Sequence, residues 1–372
     1  MEIKRHGFRA GIALLATLAL AACGSDNTES SAPGGNASGG ASASAIQCAA
    51  GSLTAQGSTA QKNAMDEWTK AFQQACPDAK INYQGTGSGA GIQTFTANTS
   101  DFGGSDSTLK EGDETTKANA RCAGGQAIHL PMVVGPIALG YNLEGVKDLQ
   151  LKPATIAGIF SGKITKWDAP EIKADNANAT LPSTAILSVH RVDSSGTTDN
   201  FTKYLAASAP GEWTFGGDKS WKAPGGQAEK GNDGIASAVK RTPGAIGYME
   251  WSFATVNALG VAKVYNGAGE FTELTSESAS KGMATTTVAG TGDDLKLKID
   301  YATKEAGAYP INLVAYEIVC SKGNSADKLP LLKAFLGYTA SEAGQASLEK
   351  INYGPLPENL RTKVEAAVQN MS

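Results

Sequence analysis

The sequence predicts an α/β protein built as two lobes. Its 372 residues exceed what one core usually organises, at roughly 150 residues per domain. Short β-rich stretches alternate with segments of helical periodicity, the pattern of a mainly parallel sheet covered by helices. Two of those strands run straight into turns of Gly, Ser and Thr, and each turn leads into the next helix.

Taken in order, Ser52–Gln56 is the first strand candidate. Met65, Trp68 and Phe72 follow at the i, i+3, i+7 spacing of an amphipathic helix. Lys80–Gln84 reads as the next strand and enters Gly85-Thr86-Gly87-Ser88-Gly89-Ala90-Gly91, after which Ile92–Asn98 is compatible with a helix. Ile128–Tyr141 is a long apolar run broken by Pro131 and Gly135-Pro136, and its length suits a strand that leaves one lobe and enters the other. Ala185–Val192 is β-rich and enters Asp193-Ser194-Ser195-Gly196-Thr197, with Phe201, Tyr204 and Leu205 at helical spacing beyond it. A helical stripe returns near the carboxyl end in Leu331, Leu332, Phe335 and Leu336. The five Trp read as core or lobe-surface aromatics rather than sugar platforms. No fixed-period repeat is visible.

Composition narrows the function. At 41% apolar and 18% charged, with 44 Gly and 14 Pro, the chain is globular over most of its length. Lys and Arg number 32 against 36 Asp and Glu, so no basic surplus recommends nucleic acid. Three His leave little material for a His-based metal site or a proton relay, and no metal or cofactor is expected. A chain of net charge −4 that binds an anion must concentrate the attraction in its site.

Residues 1–22 read as an export signal. Lys4, Arg5 and Arg9 precede the apolar run Ala10–Ala22, thirteen residues long, where a membrane-spanning helix needs about 20. The run ends Leu20-Ala21-Ala22-Cys23, which resembles a bacterial lipobox, so Cys23 is expected to become the lipid-bearing first residue of the mature chain. Loss of residues 1–22 removes three basic side chains and Glu2, leaving 29 against 35, or −6. Residues 23–45 then hold the lipidated Cys and a tether. Sixteen of the 22 residues from 24 to 45 are Gly, Ser or Ala, too few apolar side chains for a core. The other four Cys (Cys48, Cys76, Cys122, Cys320) are an even number in an exported chain, where oxidation is permitted. Of three pairings, Cys48–Cys76 with Cys122–Cys320 is favoured, since each would join neighbouring strand and helix ends. No Cys-x-x-Cys spacing supports zinc, and buried free thiols are the alternative.

The turns carry the chemistry. The first N–H groups of a helix lack intrahelical partners, and the macrodipole places roughly half a positive charge there. Three turns have the small and hydroxylic make-up that lets an anion approach: Gly57-Ser58-Thr59-Ala60, Gly87-Ser88-Gly89 and Ser194-Ser195-Gly196-Thr197. One such turn is a cap. Three, each following a strand, can converge on one oxyanion. The glycine-rich loop also fits a relaxed dinucleotide fingerprint, but it lacks the Gly-Lys-Ser/Thr of a phosphate-binding loop.

At these residues the chain resembles the phosphate-binding receptors of bacterial phosphate ABC importers, a group within the periplasmic-binding-protein superfamily. The resemblance rests on Ser52-Leu53-Thr54 with Gly57-x-Thr59, on Asn82-Tyr83-Gln84-Gly85-x-Gly87-Ser88, and on Ala97-Asn98-Thr99 followed by Asp101-Phe102-Gly103-x-Ser105-Asp106. It continues through Gly162-Lys163-Ile164-x-Lys166-Trp167-Asp168, Arg191-x-Asp193-x-Ser195-Gly196-Thr197, Gly231-Asn232-Asp233-Gly234-Ile235-Ala236 and Pro243-Gly244-Ala245-Ile246-Gly247-Tyr248. It implies a type II two-lobed fold with the hinge crossed twice, near Tyr141-Asn142 and near Ala306–Tyr309. Lobe I is then residues 46–141 plus 308–372 and lobe II residues 142–307, with the ligand in the cleft between them.

By position, the resemblance implies a phosphate site made of Thr59 (hydroxyl and N–H), the N–H of Ala60, Ser88, Asp106, Arg191, Ser195, Gly196 and Thr197, with Asp193 orienting Arg191. Two departures stand out. Ala60 occupies a position where the family often has Phe, and Ser194 one where it often has Gly. The implied partners are inorganic phosphate and the transmembrane permease subunits of an ABC importer. The implied place is the extracytoplasmic face of the cell membrane, through the lipid anchor, and the implied state a non-catalytic monomer.

The residue types make sense without the family. A multiply charged oxyanion taken out of water needs a hydrogen bond for nearly every lone pair. Arg191 offers a planar fork to two oxygens. An acidic residue beside an anion is explained by the anion's own protons: phosphate near neutral pH carries one or two that Asp106 can accept, and sulfate carries none. Sulfate, molybdate or a phosphonate on the same fold is the alternative ligand set, and a surface adhesin with incidental anion affinity a further one. A serine hydrolase built on Ser88 or Ser195 needs a base, and only His129 and His190 remain beyond the signal, His190 on the strand face opposite Arg191.

Overall fold

Alternating burial shapes the first strand, Gly51–Gly57 (β1), whose Leu53 and Ala55 point into a core. The computed structural model describes residues 46–372; the expected signal peptide, Cys23 and the tether fall in residues 1–45, outside the described residues. Helix α1 (Lys62–Ala75) buries Ala64, Met65, Trp68 and Phe72, the stripe expected from the spacing. Strand β2 (Ala79–Gly85) follows. Helix α2 (Ser88–Thr96) starts four residues before the expected Ile92, because the glycine-rich turn itself supplies the first helical turn. It stops before Asn98, which takes the left-handed conformation at φ 56°. Next come β3 (Phe102–Ser105), α3 (Asp113–Arg121) and β4 (Ala127–Tyr141), whose fifteen residues are all buried.

The middle of the chain runs β5 (Gln150–Leu151), α4 (Pro153–Phe160), α5 (Pro170–Asp175), β6 (Leu187–Arg191), α6 (Gly196–Ser208), β7 (Gln227–Glu229), α7 (Gly231–Arg241), β8 (Ala245–Glu250) and α8 (Trp251–Val256). Then follow β9 (Gly260–Val261), β10 (Lys263–Tyr265), β11 (Phe271–Thr272), α9 (Ser276–Met283), β12 (Thr287–Val288) and β13 (Leu297–Lys298). The long strand β14 (Asn312–Cys320) precedes α10 (Leu329–Ala340), α11 (Glu342–Ala346) and α12 (Glu358–Asn370).

The main sheet has the order β2-β1-β3-β14-β4-β8-β6-β7, with β9 also on β4. β2, β1 and β3 are parallel to one another, and so are β8, β6 and β7. The two parallel wings are joined by the antiparallel pair β4 and β14. Proline cannot donate to a ladder, and the pairing accommodates Pro131 by a register shift: Ala315 faces Val133 and Tyr316 faces Pro131, so Met132 is skipped.

Two hydrophobic cores flank this join. One gathers Leu53, Trp68, Phe72, Leu130, Val134, Val314, Phe335 and Leu336; the other gathers Ile137, Leu139, Tyr141, Phe160, Phe201, Tyr204, Tyr248 and Leu313. Membership changes between Val134 and Ile137 on β4, and between Leu313 and Val314 on β14. Met283 and Leu295 belong to the first core, so the segment carrying β12 and β13 lies across onto it. Trp68, Trp167 and Trp213 are buried, and Trp221 and Trp251 pack at the edge of the second core. Burying each such large side chain stabilises the fold by roughly 2–3 kcal/mol.

Both favoured disulfides are present. Cys48–Cys76 fastens the approach to β1 onto the end of α1, and Cys122–Cys320 fastens the end of α3 to the last residue of β14. The second closes a loop across 198 residues of sequence. Among the described residues no helix is long and apolar enough to cross a membrane, and no group of three His, Cys, Asp or Glu is placed to hold a metal ion.

Candidate functional site

Three strand ends build the site. β1 ends in Gly57, β3 leads into Asp106, and β6 ends in Arg191; in open α/β sheets ligands collect beyond such carboxyl ends, where the connections diverge. The three small-residue turns meet here. Thr86 and Gly87 donate their N–H groups to the Gly57 carbonyl at 2.8 and 2.7 Å, joining the first turn to the second. Gly89 N–H donates to the Ser194 carbonyl at 3.0 Å, and Gly196 N–H donates to Ser88 Oγ at 3.0 Å, joining the second to the third. Gly87 sits at φ +101°, where an L side chain is strained, and a Cβ there would lie 2.5 Å from Asp193 Oδ2.

Asp106 is the centre of this cluster. Its Oδ1 accepts from Ser58 Oγ, its Oδ2 faces Ser88 Oγ at 3.4 Å, and its own N–H donates to Ser88 Oγ at 3.1 Å. Burial pushes its carboxyl up to about 6, against the pull of Ser58, Arg191 and Ser88. Arg191 is 1% exposed. Its Nε donates to Asp193 Oδ1 at 2.7 Å and its Nη2 to Asp193 Oδ2, which leaves Nη1 without a partner among the described residues. Burial alone would raise the Asp193 carboxyl; the hydrogen bonds and charge of Arg191, with the Gly231 N–H, outweigh it and hold it below its ordinary value. Tyr248 accepts the Arg191 N–H at 3.1 Å and meets Thr198 Oγ1 at 2.7 Å, so the strand end and the helix start share one anchor.

Ser195 caps α6, its Oγ accepting from Thr198 N–H at 3.2 Å. Thr197 follows, fully buried, and its Oγ1 has no partner either. Thr59 Oγ1 accepts from Asn232 N–H at 3.2 Å and Nδ2 at 2.9 Å, and the Ala60 N–H is already engaged by Ser58 Oγ at 3.0 Å. The eight residues expected at the site, together with Asp193, therefore lie in one buried cluster drawn from both halves of the sheet. Two donors in it, Arg191 Nη1 and Thr197 Oγ1, are buried and have no acceptor among the described residues. A buried unsatisfied polar group costs about 1–3 kcal/mol, a cost that an acceptor reaching these two donors would relieve.

Further carboxyls stand behind the turns. Glu317 on β14 accepts from Gln61 Nε2 at 2.8 Å; Gln61 also reaches Tyr83 Oη at 3.0 Å, and Tyr83 donates to the Ser58 carbonyl at 2.8 Å. Glu250 caps α8 through Ser252, whose neighbour Tyr353 donates to the Ala60 carbonyl at 2.5 Å. Burial pushes both Glu317 and Glu250 up to about 8, with Asp106 adding repulsion. The folded state thus holds these protons more tightly than the unfolded chain. Their contribution is complete below about pH 4.5 and is lost as pH rises through about 8. The thermal midpoint of the ligand-free protein is expected to fall between pH 5 and 8, followed by circular dichroism, and Glu317→Gln should flatten that fall.

Comparison with known proteins agrees with this arrangement. Residues 42–343 match the family model described as a PBP superfamily domain. The chain is 43% identical over 372 residues, 99% of both chains, to the phosphate-binding protein PstS3 of Mycobacterium bovis (strain BCG / Pasteur 1173P2). The protein belongs to the PBP superfamily, among its PstS members. A second PstS relative, PstS 2 of Mycobacterium tuberculosis (strain ATCC 25618 / H37Rv), is 38% identical over 376 residues, 100% of both chains. The solved structure of PfluDING, a high-affinity periplasmic phosphate-binding protein bound with phosphate, overlays with a TM-score of 0.67 at 22% identity, over 85% of this chain and 93% of that one. At that identity the overlay speaks for the fold, the two-lobed periplasmic-binding-protein architecture.

In this PstS-family chain the sequence reading left out several residues that shape the cluster. Ser58 was inside a turn already singled out, yet only its neighbours Thr59 and Ala60 were assigned, and it is Ser58 that bonds Asp106. Asn232 lies in Gly231-Asn232-Asp233-Gly234, a stretch recognised but given no role, and it holds Thr59 from across the sheet. Asn200 Nδ2 donates at 2.8 Å to both the Asp106 and Gly196 carbonyls, a bridge that no sequence signal marks.

Proposed function

We propose that this protein is an extracytoplasmic receptor that binds inorganic phosphate between its two lobes and delivers it to the permease subunits of an ABC importer. The observation that carries the reading is two buried donors without partners among the described residues, Arg191 Nη1 and Thr197 Oγ1, in the same cluster as the buried carboxyl of Asp106, on which the Arg191 charge acts. Donors alone would suit any oxyanion. A carboxylate among them suits one that brings its own proton. In the reading, Arg191, the hydroxyls of Thr59, Ser88, Ser195 and Thr197, the N–H groups of Thr59 and Thr197, and those of Ala60 and Gly196 shared with Ser58 Oγ and Ser88 Oγ surround the phosphate oxygens, Asp106 accepts a phosphate proton, and Asp193 fixes the guanidinium plane.

The lobes in this reading are residues 46–141 plus 308–372 and residues 142–307; the two cores that meet on β4 and β14 support a division in two, and they change over a few residues away from those bounds, between Val134 and Ile137 and between Leu313 and Val314. Closure by hinge motion then traps the ligand. The receptor acts as a non-catalytic monomer, held at the membrane by lipid on Cys23 and free to sample the permease through residues 24–45. Support for that anchor is the motif Leu20-Ala21-Ala22-Cys23 alone.

Isothermal titration of residues 46–372 with phosphate, arsenate and sulfate tests the proposal. Phosphate and arsenate, which share shape and protonation, should each bind at one site per chain, and sulfate should not. Equal binding of sulfate would move the reading to another oxyanion. Release of phosphate from an ester would move it to a hydrolase.

A further inference from the structure

Away from the binding turns, a second charged contact joins the two halves. Glu114 stands in the first turn of α3, and its Oε2 accepts the Lys110 N–H at 2.8 Å. From the loop that follows α6, Lys219 Nζ reaches both oxygens of Glu114, at 2.7 and 2.8 Å. Lys219 is 4% exposed, which is unusual for a lysine. Beside it, Lys110 Nζ stands 3.4 Å from Asp218 Oδ2. Each side therefore contributes one cation and one anion, and the two pairs cross.

The same loop holds the candidate site. The Lys219 carbonyl accepts the Ser195 N–H at 2.8 Å, and the Asp218 N–H donates to Thr202 Oγ1 at 3.0 Å on α6. One residue thus grips the opposite half with its side chain and the start of α6 with its backbone. In sequence the partners are 105 residues apart.

We propose that Lys219 and Glu114 form a closure latch, a pair of positioning residues that engages as the lobes come together and slows the release of bound ligand. This rests on the phosphate-receptor reading given above. With the lobes apart, Lys219 keeps its water. On closing it gives up that water, and only a two-oxygen acceptor set offsets the loss. The intact pair therefore adds little net affinity but fixes the closed arrangement, and removing one partner strands the other. Such a change acts on the rate of leaving far more than on the rate of arrival. The Lys110–Asp218 pair, with the Lys110 side chain 54% exposed, contributes little by comparison.

Stopped-flow release of phosphate from the full-length protein distinguishes the outcomes. Glu114→Gln and Lys219→Met should each speed release roughly tenfold, a figure set below the range for fully buried pairs because Glu114 keeps 28% of its side-chain surface. Association should stay within about twofold. The double variant should release no faster than the faster single one. Glu114→Gln is the decisive variant, because it leaves the loop that supports Ser195 untouched. Release at the wild-type rate by Glu114→Gln, or effects that multiply in the double variant, would overturn the latch while leaving the receptor intact. A wild-type chain that binds no phosphate would overturn both.

Discussion

Asp106→Asn is expected to abolish the preference for phosphate over sulfate. The wild-type carboxylate can only accept a hydrogen bond once ionised, so it accepts the proton that phosphate carries and repels an anion that carries none. The amide has the same shape and offers an N–H₂ that welcomes either anion. Sites that leave a buried charged group unpaired against the wrong ligand reject it by about 10⁴-fold, and that is the size of the discrimination at stake. Calorimetric titration of the variant with both anions measures it directly. An unchanged preference would show that Asp106 does not read the proton. The pH dependence has a definite sign: because burial pushes Asp106 up to about 6, acidification below that value converts the wild-type carboxyl into a donor. Its rejection of sulfate should therefore weaken as pH falls from 7 to 5, while the variant shows no such trend.

Gly196→Ala is expected to weaken phosphate binding by on the order of 10²- to 10³-fold without harming the fold. A Cβ at Gly196 would lie 2.5 Å from Asp106 Cβ, 2.6 Å from Ser88 Oγ and 2.8 Å from Asp106 Cα. The serine hydroxyl can rotate, but the Asp106 backbone is fixed by its place beyond β3, so the halves must stand apart. That separation breaks the bond from Gly196 N–H to Ser88 Oγ and the bond from Gly89 N–H to the Ser194 carbonyl. It also withdraws Arg191 and the α6 start from Asp106, and hydrogen bonds to charged groups are worth about 1.5–3 kcal/mol each. Gly196 opens α6 and belongs to neither core, so the ligand-free variant should still unfold cooperatively, with a midpoint lowered only by the loss of these bonds. Affinity within threefold of wild type would mean that the closed arrangement seen here is not the binding one.

What could be read from the sequence was local. Strands β1, β2 and β6, the buried stripe of α1 and the buried Phe201, Tyr204 and Leu205 of α6 follow from spacing within a dozen residues. The turns were legible for the same reason, since small and hydroxylic residues at a strand-to-helix junction have few other uses. The start of α2 was misplaced because a run of glycines argues against a helix, and only the packing of Gly91 against Gly57 and Gly104 shows why small residues are required there. Ser58 against Asp106, Asn232 against Thr59 and Lys219 against Glu114 were beyond reach for a different reason. Each is a contact between distant parts of the chain, set by sheet order, and sheet order leaves no trace in the periodicity of any one segment. The crossing of residues 283–295 onto the first core is of the same kind.

The central pair of long strands has a consequence for how this molecule is born. β14 lies between β3 and β4, yet roughly half the chain must be made between the end of β4 and the start of β14. Until residue 320 emerges, β3 and β4 present bare backbone edges and neither hydrophobic centre is complete. Pairings of such long range are slow to form and leave the nascent polypeptide open to misassembly. The strand that both halves need is thus among the last to be translated, so neither core can close until nearly the whole polypeptide exists.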